Sequence, residues 1–305
     1  MPAITLPDDF RRRIIEVDGD EGASWLARLP DILATCAGRW RLTLDPHFEP
    51  LTYNYAAPGV NAAGRGIVIK AGVPGDERQR EEEALRFFGG HGMVELIEAD
   101  ADLGVMLLER LEPGTPLVDL ADDDEATGIA ADVMRELWRP LPSDHAFPTV
   151  AEWGKGFERL RATFGGTTGP FERQLTERAE LLFADLLASS AAPVLLHGDL
   201  HHWNILAAER VPWLALDPKG VAGEPAYEVG ALMRNPAPQV FSWPNPNRLL
   251  RRRADILAER LGFDRQRLLA WSMAQAVLSA WWSYEDHGKG WEPMMAWASA
   301  LASLL

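Results

Sequence analysis

Val194-Leu195-Leu196-His197-Gly198-Asp199-Leu200-His201-His202-Trp203-Asn204-Ile205-Leu206, followed by Trp213-Leu214-Ala215-Leu216-Asp217-Pro218-Lys219-Gly220, is the most informative stretch of the chain. It reads H-x-D-x-x-x-x-N and then, past a short connection, gives a second aspartate. Transfer of a phosphoryl group needs a carboxylate at the attacking hydroxyl and oxygen ligands for the magnesium ions that bridge the phosphates. The first pattern supplies an aspartate and an amide from one tight loop. If 205–207 and 212–216 pair through a turn near 208–211, Asn204 comes opposite Asp217 or within two residues of it. Those two side chains are then candidates for one magnesium site, built from the hard oxygens that suit this ion. Asp199 would face the substrate side of it.

Two upstream residues extend the set. Ile67-Val68-Ile69-Lys70 reads as a strand ending in lysine, and a helix follows over 76–88, closed by Gly89-Gly90. Ala84, Leu85 and Phe88 share one face of that helix, and at about 100° per residue Glu81 lies near its centre. A carboxylate there needs a partner. Lys70 can be that partner, and the pair would aim the ammonium at nucleotide phosphates. The glycine signals are poor by contrast. Gly59, Gly64 and Gly66 do not make G-x-G-x-x-G, and no P-loop pattern is present.

The rest of the chain divides by texture. Residues 8–40 read as helix with a break at Gly19-Asp20-Glu21-Gly22. Strands are expected over 40–44 and 51–55, with Pro58-Gly59 opening a loop, and a second hairpin over 94–98 and 105–109. Arg110-Leu111-Glu112-Pro113-Gly114 reads as a hinge. Beyond it helices predominate, over 123–138, 150–164, 170–189, 247–261 and 264–284. The acidic run Asp122-Asp123-Asp124-Glu125 reads as a helix start. These elements predict an α+β chain in two parts: 1–110, a sheet with one key helix, and 111–305, mainly helical.

Composition narrows the function classes. The 305 residues are 47% hydrophobic and carry a net charge of −15, which disfavours nucleic acid and anionic membranes as partners and can attract cationic solutes. No stretch approaches the roughly 20 apolar residues needed to span a bilayer. Met1-Pro2-Ala3-Ile4-Thr5-Leu6-Pro7-Asp8-Asp9 lacks the basic start and apolar centre of an export signal. Cys36 is the single cysteine, so a reducing cytoplasm is the expected compartment. Trp271, Trp281 and Trp282 read as helix core, and Arg251-Arg252-Arg253 as a solvated face.

The sequence resembles the aminoglycoside phosphotransferase superfamily, and within it the streptomycin 6-kinase/hydroxyurea phosphotransferase family. Leu107-Leu108-Glu109-Arg110-Leu111-Glu112-Pro113-Gly114, the loop at 196–206, Leu216-Asp217-Pro218-Lys219-Gly220 and Gly223-Glu224-Pro225-Ala226-Tyr227-Glu228 carry the resemblance. It implies a two-lobed protein-kinase-like fold and ATP-dependent O-phosphorylation of a small antibiotic-like molecule. Asp199 is then the catalytic base, Asn204 and Asp217 hold Mg2+, Lys70 contacts ATP phosphate, and adenine meets the backbone at Glu109, Arg110 and Leu111. The family more often has aspartate where this chain has Glu228, a residue that braces the catalytic loop.

Two rival readings stand beside it. His197, Asp199, His201 and His202 form H-x-D-x-H-H, which a zinc or binuclear metallohydrolase would use. A pseudokinase would keep the fold as a binding module, although Lys70, Asp199, Asn204 and Asp217 are all retained. For the acceptor, another small hydroxyl metabolite is the alternative to an antibiotic. His202 is a candidate near the substrate, and Glu224, Glu285 and Asp286 are candidates to meet its cationic groups.

Overall fold

Residues 8–40 form one helical run, α1 (Asp8–Trp40), in a computed structural model that describes residues 5–305. Part of the N-terminal stretch read above for an export signal, 1–4, lies outside the described residues. Gly19 interrupts α1 at φ 57 and ψ −132, so the expected break is a kink within a continuous run. Phe10, Ile14, Trp25, Leu29, Leu33 and Cys36 bring one face of α1 against Leu51, Tyr55, Ala57, Ile69 and Val105. Each fully buried side chain of this size contributes roughly 1.5–3 kcal/mol.

The sheet under that helix has five antiparallel strands in the order β1-β2-β3-β5-β4: β1 (Thr43–Leu44), β2 (Tyr55–Val60), β3 (Gly66–Ala71), β4 (Leu96–Asp100) and β5 (Val105–Glu109). The expected strand over 51–55 lies later, and Pro58-Gly59 belongs to β2 instead of opening a loop. Its cause is local. The Pro58 carbonyl accepts from Asp45 N at 2.9 Å, and a Cβ on Gly59 would stand 2.4 Å from Thr43 O. Glycine is therefore what lets β1 approach, and glycine and proline here do not punctuate a turn. The helix α2 (Asp76–Phe88) buries Glu81, Ala84, Leu85 and Phe88, the face anticipated from periodicity.

The chain condenses into two units that divide after Gly114, where β6 (Pro113–Pro116) runs. The second is mainly helical. Asp122 caps α3 (Asp123–Leu137) by accepting from Asp124 N and Glu125 N, as the acidic run suggested. The expected helix over 150–164 is two, α4 (Val150–Gly154) and α5 (Gly156–Thr163), followed by α6 (Arg173–Ala188). Short strands β7 (Val194–Leu196) and β10 (Val221–Gly223) pair antiparallel, as do β8 (Ile205–Ala208) and β9 (Trp213–Ala215). After them come α7 (Val229–Met233), α8 (Pro246–Leu261), α9 (Arg265–His287) and α10 (Glu292–Ala302), the last unforeseen. The middle of α9 is buried on every side, with α6, α7 and α10 packed around it.

Among the described residues no helix is long and apolar enough to cross a membrane. Arg253 corrects one reading. Its side chain is fully buried, not solvated: Nη1 donates to Leu232 O and Asn235 O, and Nε and Nη2 grip the Asp123 carboxylate. Its neighbour Arg252 does stay exposed, paired with Asp124 at 2.7 Å.

Candidate active site

The segment 197–204 is held by two ribbons. His197 follows β7, and its carbonyl accepts from Lys219 N at 2.7 Å and Gly220 N at 3.2 Å, tying the loop to the chain that enters β10. Gly198 takes φ +86, and a Cβ there would lie 2.8 Å from the Trp153 ring, so this turn needs glycine on both counts. The β8–β9 register is Ile205↔Ala215, Leu206↔Leu214 and Ala207↔Trp213. Leu216 N then donates to Asn204 O at 3.0 Å. Asn204 and Asp217 are thereby neighbours across the hairpin, as the spacing required.

Two details suit them to a hard cation. Asn204 Nδ2 donates to Asp199 O at 3.0 Å, which turns the amide oxygen the other way as an acceptor. Asp217 holds φ +61, a left-handed backbone that costs a non-glycine residue about 1–2 kcal/mol. One amide oxygen and one carboxylate are a donor set fit for magnesium, which keeps most of its other ligands as water and phosphate.

Asp199 lies in the wall of a cleft of about 410 Å³, lined also by Glu152, Trp153, Arg159, Gly198, Lys219, Arg234 and Trp282. Its side chain is 31% exposed, with Arg234 Nη2 at 3.3 Å from Oδ1 and His201 Nε2 at 3.5 Å from Oδ2. Burial alone would raise this carboxyl. The His201 ring and the Arg234 guanidinium outweigh it and hold Asp199 below the usual carboxylate range. The rings of Trp153 and Trp282 meet edge to face at 5.6 Å, so Trp282 is a cleft wall as well as part of α9. Glu152 closes a capping box on Thr149, whose backbone and hydroxyl bonds hold the carboxyl below its ordinary range.

Glu228 braces the loop despite its extra methylene. Oε2 accepts from His197 N at 2.7 Å and Oε1 from Gly198 N at 2.9 Å. Burial pushes its pKa up to about 7, against the pull of those two donors. His197 Nε2 donates to Leu216 O at 2.7 Å while Nδ1 accepts from Asp199 N at 3.2 Å, and burial takes the ring down to about 4. Both ring nitrogens are thus committed to backbone. His201 Nδ1 accepts from Trp203 N at 3.3 Å. His202 is buried against Arg253, and burial first, then that cation, drives its pKa to about 2. The three rings face different partners, and among the described residues no three His, Cys, Asp or Glu side chains gather to hold a metal. The metallohydrolase reading falls on this geometry.

Two of the acceptor candidates are also re-placed. His202 belongs to the packing under α8 and not to the cleft. Glu224, 5% exposed, has its oxygens taken by Arg267 Nε and Nη2, each at 2.5 Å, and by Trp271 Nε1 at 3.0 Å. It ties the turn before α7 to α9 and is committed to the protein. Glu285 grips Arg159, a cleft residue, at 2.6 and 2.8 Å, and Asp286 beside it is exposed.

In the first unit Lys70 Nζ donates to Glu81 Oε1, with side chains 7% and 11% exposed. Arg78 stands by, 4.0 Å from the other Glu81 oxygen. At the end of β5, Glu109 N donates to Glu95 O at 3.0 Å and Arg110 N to Gly66 O at 3.3 Å. The Glu109 carboxylate turns back to accept from Glu95 N at 2.9 Å.

A family model described as aminoglycoside/hydroxyurea antibiotic resistance kinase matches residues 55–287. The chain is 32% identical to a streptomycin 6-kinase of Streptomyces griseus, over 93% of this chain and 92% of that one. It is likewise 32% identical to a hydroxyurea phosphotransferase of Kitasatospora aureofaciens, over 93% of this chain and 81% of the relative. Two solved structures share the fold at 14% identity. One is a choline/ethanolamine kinase family protein from Mesorhizobium loti, at TM-score 0.64 over 90% of this chain and 94% of that one. The other is an aminoglycoside phosphotransferase in complex with ADP and hygromycin B, at TM-score 0.60 over 88% and 97%. The α+β architecture is that of the kinase-like phosphotransferases, and the chain belongs to the aminoglycoside/hydroxyurea antibiotic resistance kinase family.

Proposed function

We propose that this kinase moves the γ-phosphoryl group of ATP to a hydroxyl of a small antibiotic-like molecule, with streptomycin the first acceptor to test. The observation that carries the reading is the convergence of Asp199, Asn204 and Asp217: one hairpin bond from Leu216 N to Asn204 O and one side-chain bond from Asn204 Nδ2 to Asp199 O bring them together beside a cleft. The acceptor hydroxyl attacks phosphorus, the bond to the bridging oxygen breaks, and ADP leaves. Asp199 orients the hydroxyl and takes its proton. Asn204 Oδ1 and the Asp217 carboxylate would hold Mg2+, which when bound neutralises charge on the phosphates. Lys70, aimed by Glu81, meets ATP phosphate. Adenine lies along the backbone at 109–111. The amides of Glu109 and Arg110 are already used within the sheet, so Leu111 N is the donor for its edge.

Acceptor charge enters through the cleft. Trp153 and Trp282 offer aromatic faces, Glu152 lines the cleft beside Trp153, and Glu285, paired with Arg159, and the exposed Asp286 follow Trp282 by three and four residues, a setting suited to guanidinium or ammonium groups. The net charge of −15 adds a field that concentrates cations, weakened by salt. ATP supply and a single cysteine both fit a cytoplasmic enzyme. The test is mass spectrometry after incubation with MgATP, seeking one added phosphoryl group on streptomycin and on hydroxyurea, with Asp199→Asn as control. If neither is modified while another hydroxyl compound is, the antibiotic reading fails and the kinase reading stands.

A further inference from the structure

We propose that Arg234, braced by Gln275, is the positioning residue that fixes the Asp199 carboxylate for the incoming hydroxyl. The inference rests on the reading of Asp199 given above and adds what holds it. Arg234 ends α7 and is 8% exposed. Its Nη1 donates to Gln275 Oε1 at 2.5 Å and its Nη2 to Asp199 Oδ1 at 3.3 Å. A planar guanidinium bonded at two nitrogens has its orientation set by both partners. Gln275 is itself 1% exposed, in the middle of α9, so the anchor is packed among buried residues on either side.

The choice of anchor is the informative part. Two other arginines of this unit, the half-buried Arg267 and the fully buried Arg253, close their charge on carboxylates outside this cleft, Glu224 and Asp123. Arg234 is anchored by a neutral amide, and Asp199 is the one carboxylate it bonds among the described residues. Its positive charge is thus left to the catalytic carboxylate. That carboxylate needs a guide, because the terminal torsion of aspartate is broad and the group is partly open to solvent. Arg234 at Oδ1 and His201 at Oδ2 flank it and leave its open side to the cleft. The backbone is cut to admit the brace: a Cβ on Gly230 would stand 2.0 Å from Gln275 Oε1.

The test compares Arg234→Ala, Gln275→Leu, Asp199→Asn and the double variant Asp199→Asn/Arg234→Ala. Turnover is read with MgATP and streptomycin, and in parallel as MgATP hydrolysis with water as acceptor, so the result does not hang on one acceptor. Arg234→Ala should lower kcat about a hundredfold, the scale of a misplaced catalytic group, with KM for ATP within about twofold. Gln275→Leu, which keeps both charges, should lower kcat about tenfold in the same pattern and gives the reading if Arg234→Ala does not fold. The double variant should be no slower than Asp199→Asn alone, since Arg234 acts through that side chain. A kcat within about twofold of the parent in both single variants overturns the proposal, as does a double variant whose losses multiply. A loss shared between kcat and KM for ATP, with a lowered melting temperature, marks a merely structural arginine and also overturns it. Near-normal turnover by Asp199→Asn is a separate outcome: it removes the base reading, and this proposal with it.

Discussion

Replacing Lys70 by methionine keeps most of its length and removes its charge, and the structure gives the cost. Lys70 and Glu81 have side chains only 7% and 11% exposed, so the variant leaves a carboxylate on the apolar face of α2. Breaking a buried pair by removing one partner costs about 3–5 kcal/mol. Arg78, 4.0 Å from the second Glu81 oxygen, can swing closer and recover part of it. A net loss of about 2–3 kcal/mol follows for the first unit, or roughly 10 °C in its melting temperature. The double variant Lys70→Met/Glu81→Leu should behave oppositely, since exchanging a whole buried pair for apolar side chains is often neutral or stabilising.

Activity must separate from stability here. Both variants lose the ammonium, so both should raise KM for ATP and lower kcat, although only the single one melts early. Differential scanning calorimetry and ATP-dependent kinetics on the same preparations make the comparison. A single variant that melts with the parent would show that Glu81 does not depend on Lys70. A double variant with parental KM and kcat would show that the pair serves only the fold.

Gly230→Ala should gain about 1 kcal/mol of helix propensity yet lose more by displacing the Gln275 amide, for a net destabilisation of about 1–3 kcal/mol seen as a lower melting temperature, with reduced kcat. Activity should also vanish on removal of magnesium and return with magnesium or manganese, whereas a zinc-selective chelator should leave it intact. His197 and Glu228 predict a pH effect of opposite signs. His197, at about 4 against 6.5, contributes stability present above pH 6.5 and lost as pH falls toward 4; Glu228, at about 7 against 4.5, contributes stability present below pH 4.5 and lost as pH rises to 7. The two effects oppose each other in the parent between about pH 4.5 and 6.5, so His197→Gln, which removes the loss at low pH, should melt higher at pH 5 than at pH 7 relative to the parent.

What the sequence made legible was local. The loop at 196–206, the hairpin to Asp217 and the Glu81 face of α2 depend on spacings of a few residues, and period and turn chemistry decide them. Long-range partners were not legible. Glu224 sits beside the family-specific segment and looks like a carboxylate free for substrate, but Arg267 reaches it from 43 positions away. Arg234 carries no motif and lies between α7 and Pro236, and nothing local marks it. Glu152 did have a signal, since Thr149-Val150-Ala151-Glu152 is a capping-box spacing. The same holds for α10, which starts at Glu292-Pro293 with proline in its first turn, a recognised helix opening. Trp282 shows why aromatic residues on a buried helix are ambiguous: α9 is covered along its middle, and one ring near its end still faces a cleft.

Charge partnership, more than burial, separates the structural from the functional ions of this chain. Arg253, Arg267 and Arg234 are each largely hidden, and burial alone would class them together. Arg253 satisfies two carbonyls and a carboxylate at the start of α3, and Arg267 two carbonyls, a hydroxyl and Glu224. Those partners lie outside the cleft that Asp199 lines, so each unit of charge is closed away from it. Arg234 has two bonds, one to the Gln275 amide and one to Asp199, the residue proposed to meet substrate. Desolvating a guanidinium costs several kcal/mol, and a fold that needed only a strut at this position would do better with an apolar side chain. A cation next to Asp199 is what the role proposed for this carboxylate asks for: anionic and aimed before the hydroxyl arrives. The neutral Gln275 is what keeps that charge from being answered elsewhere.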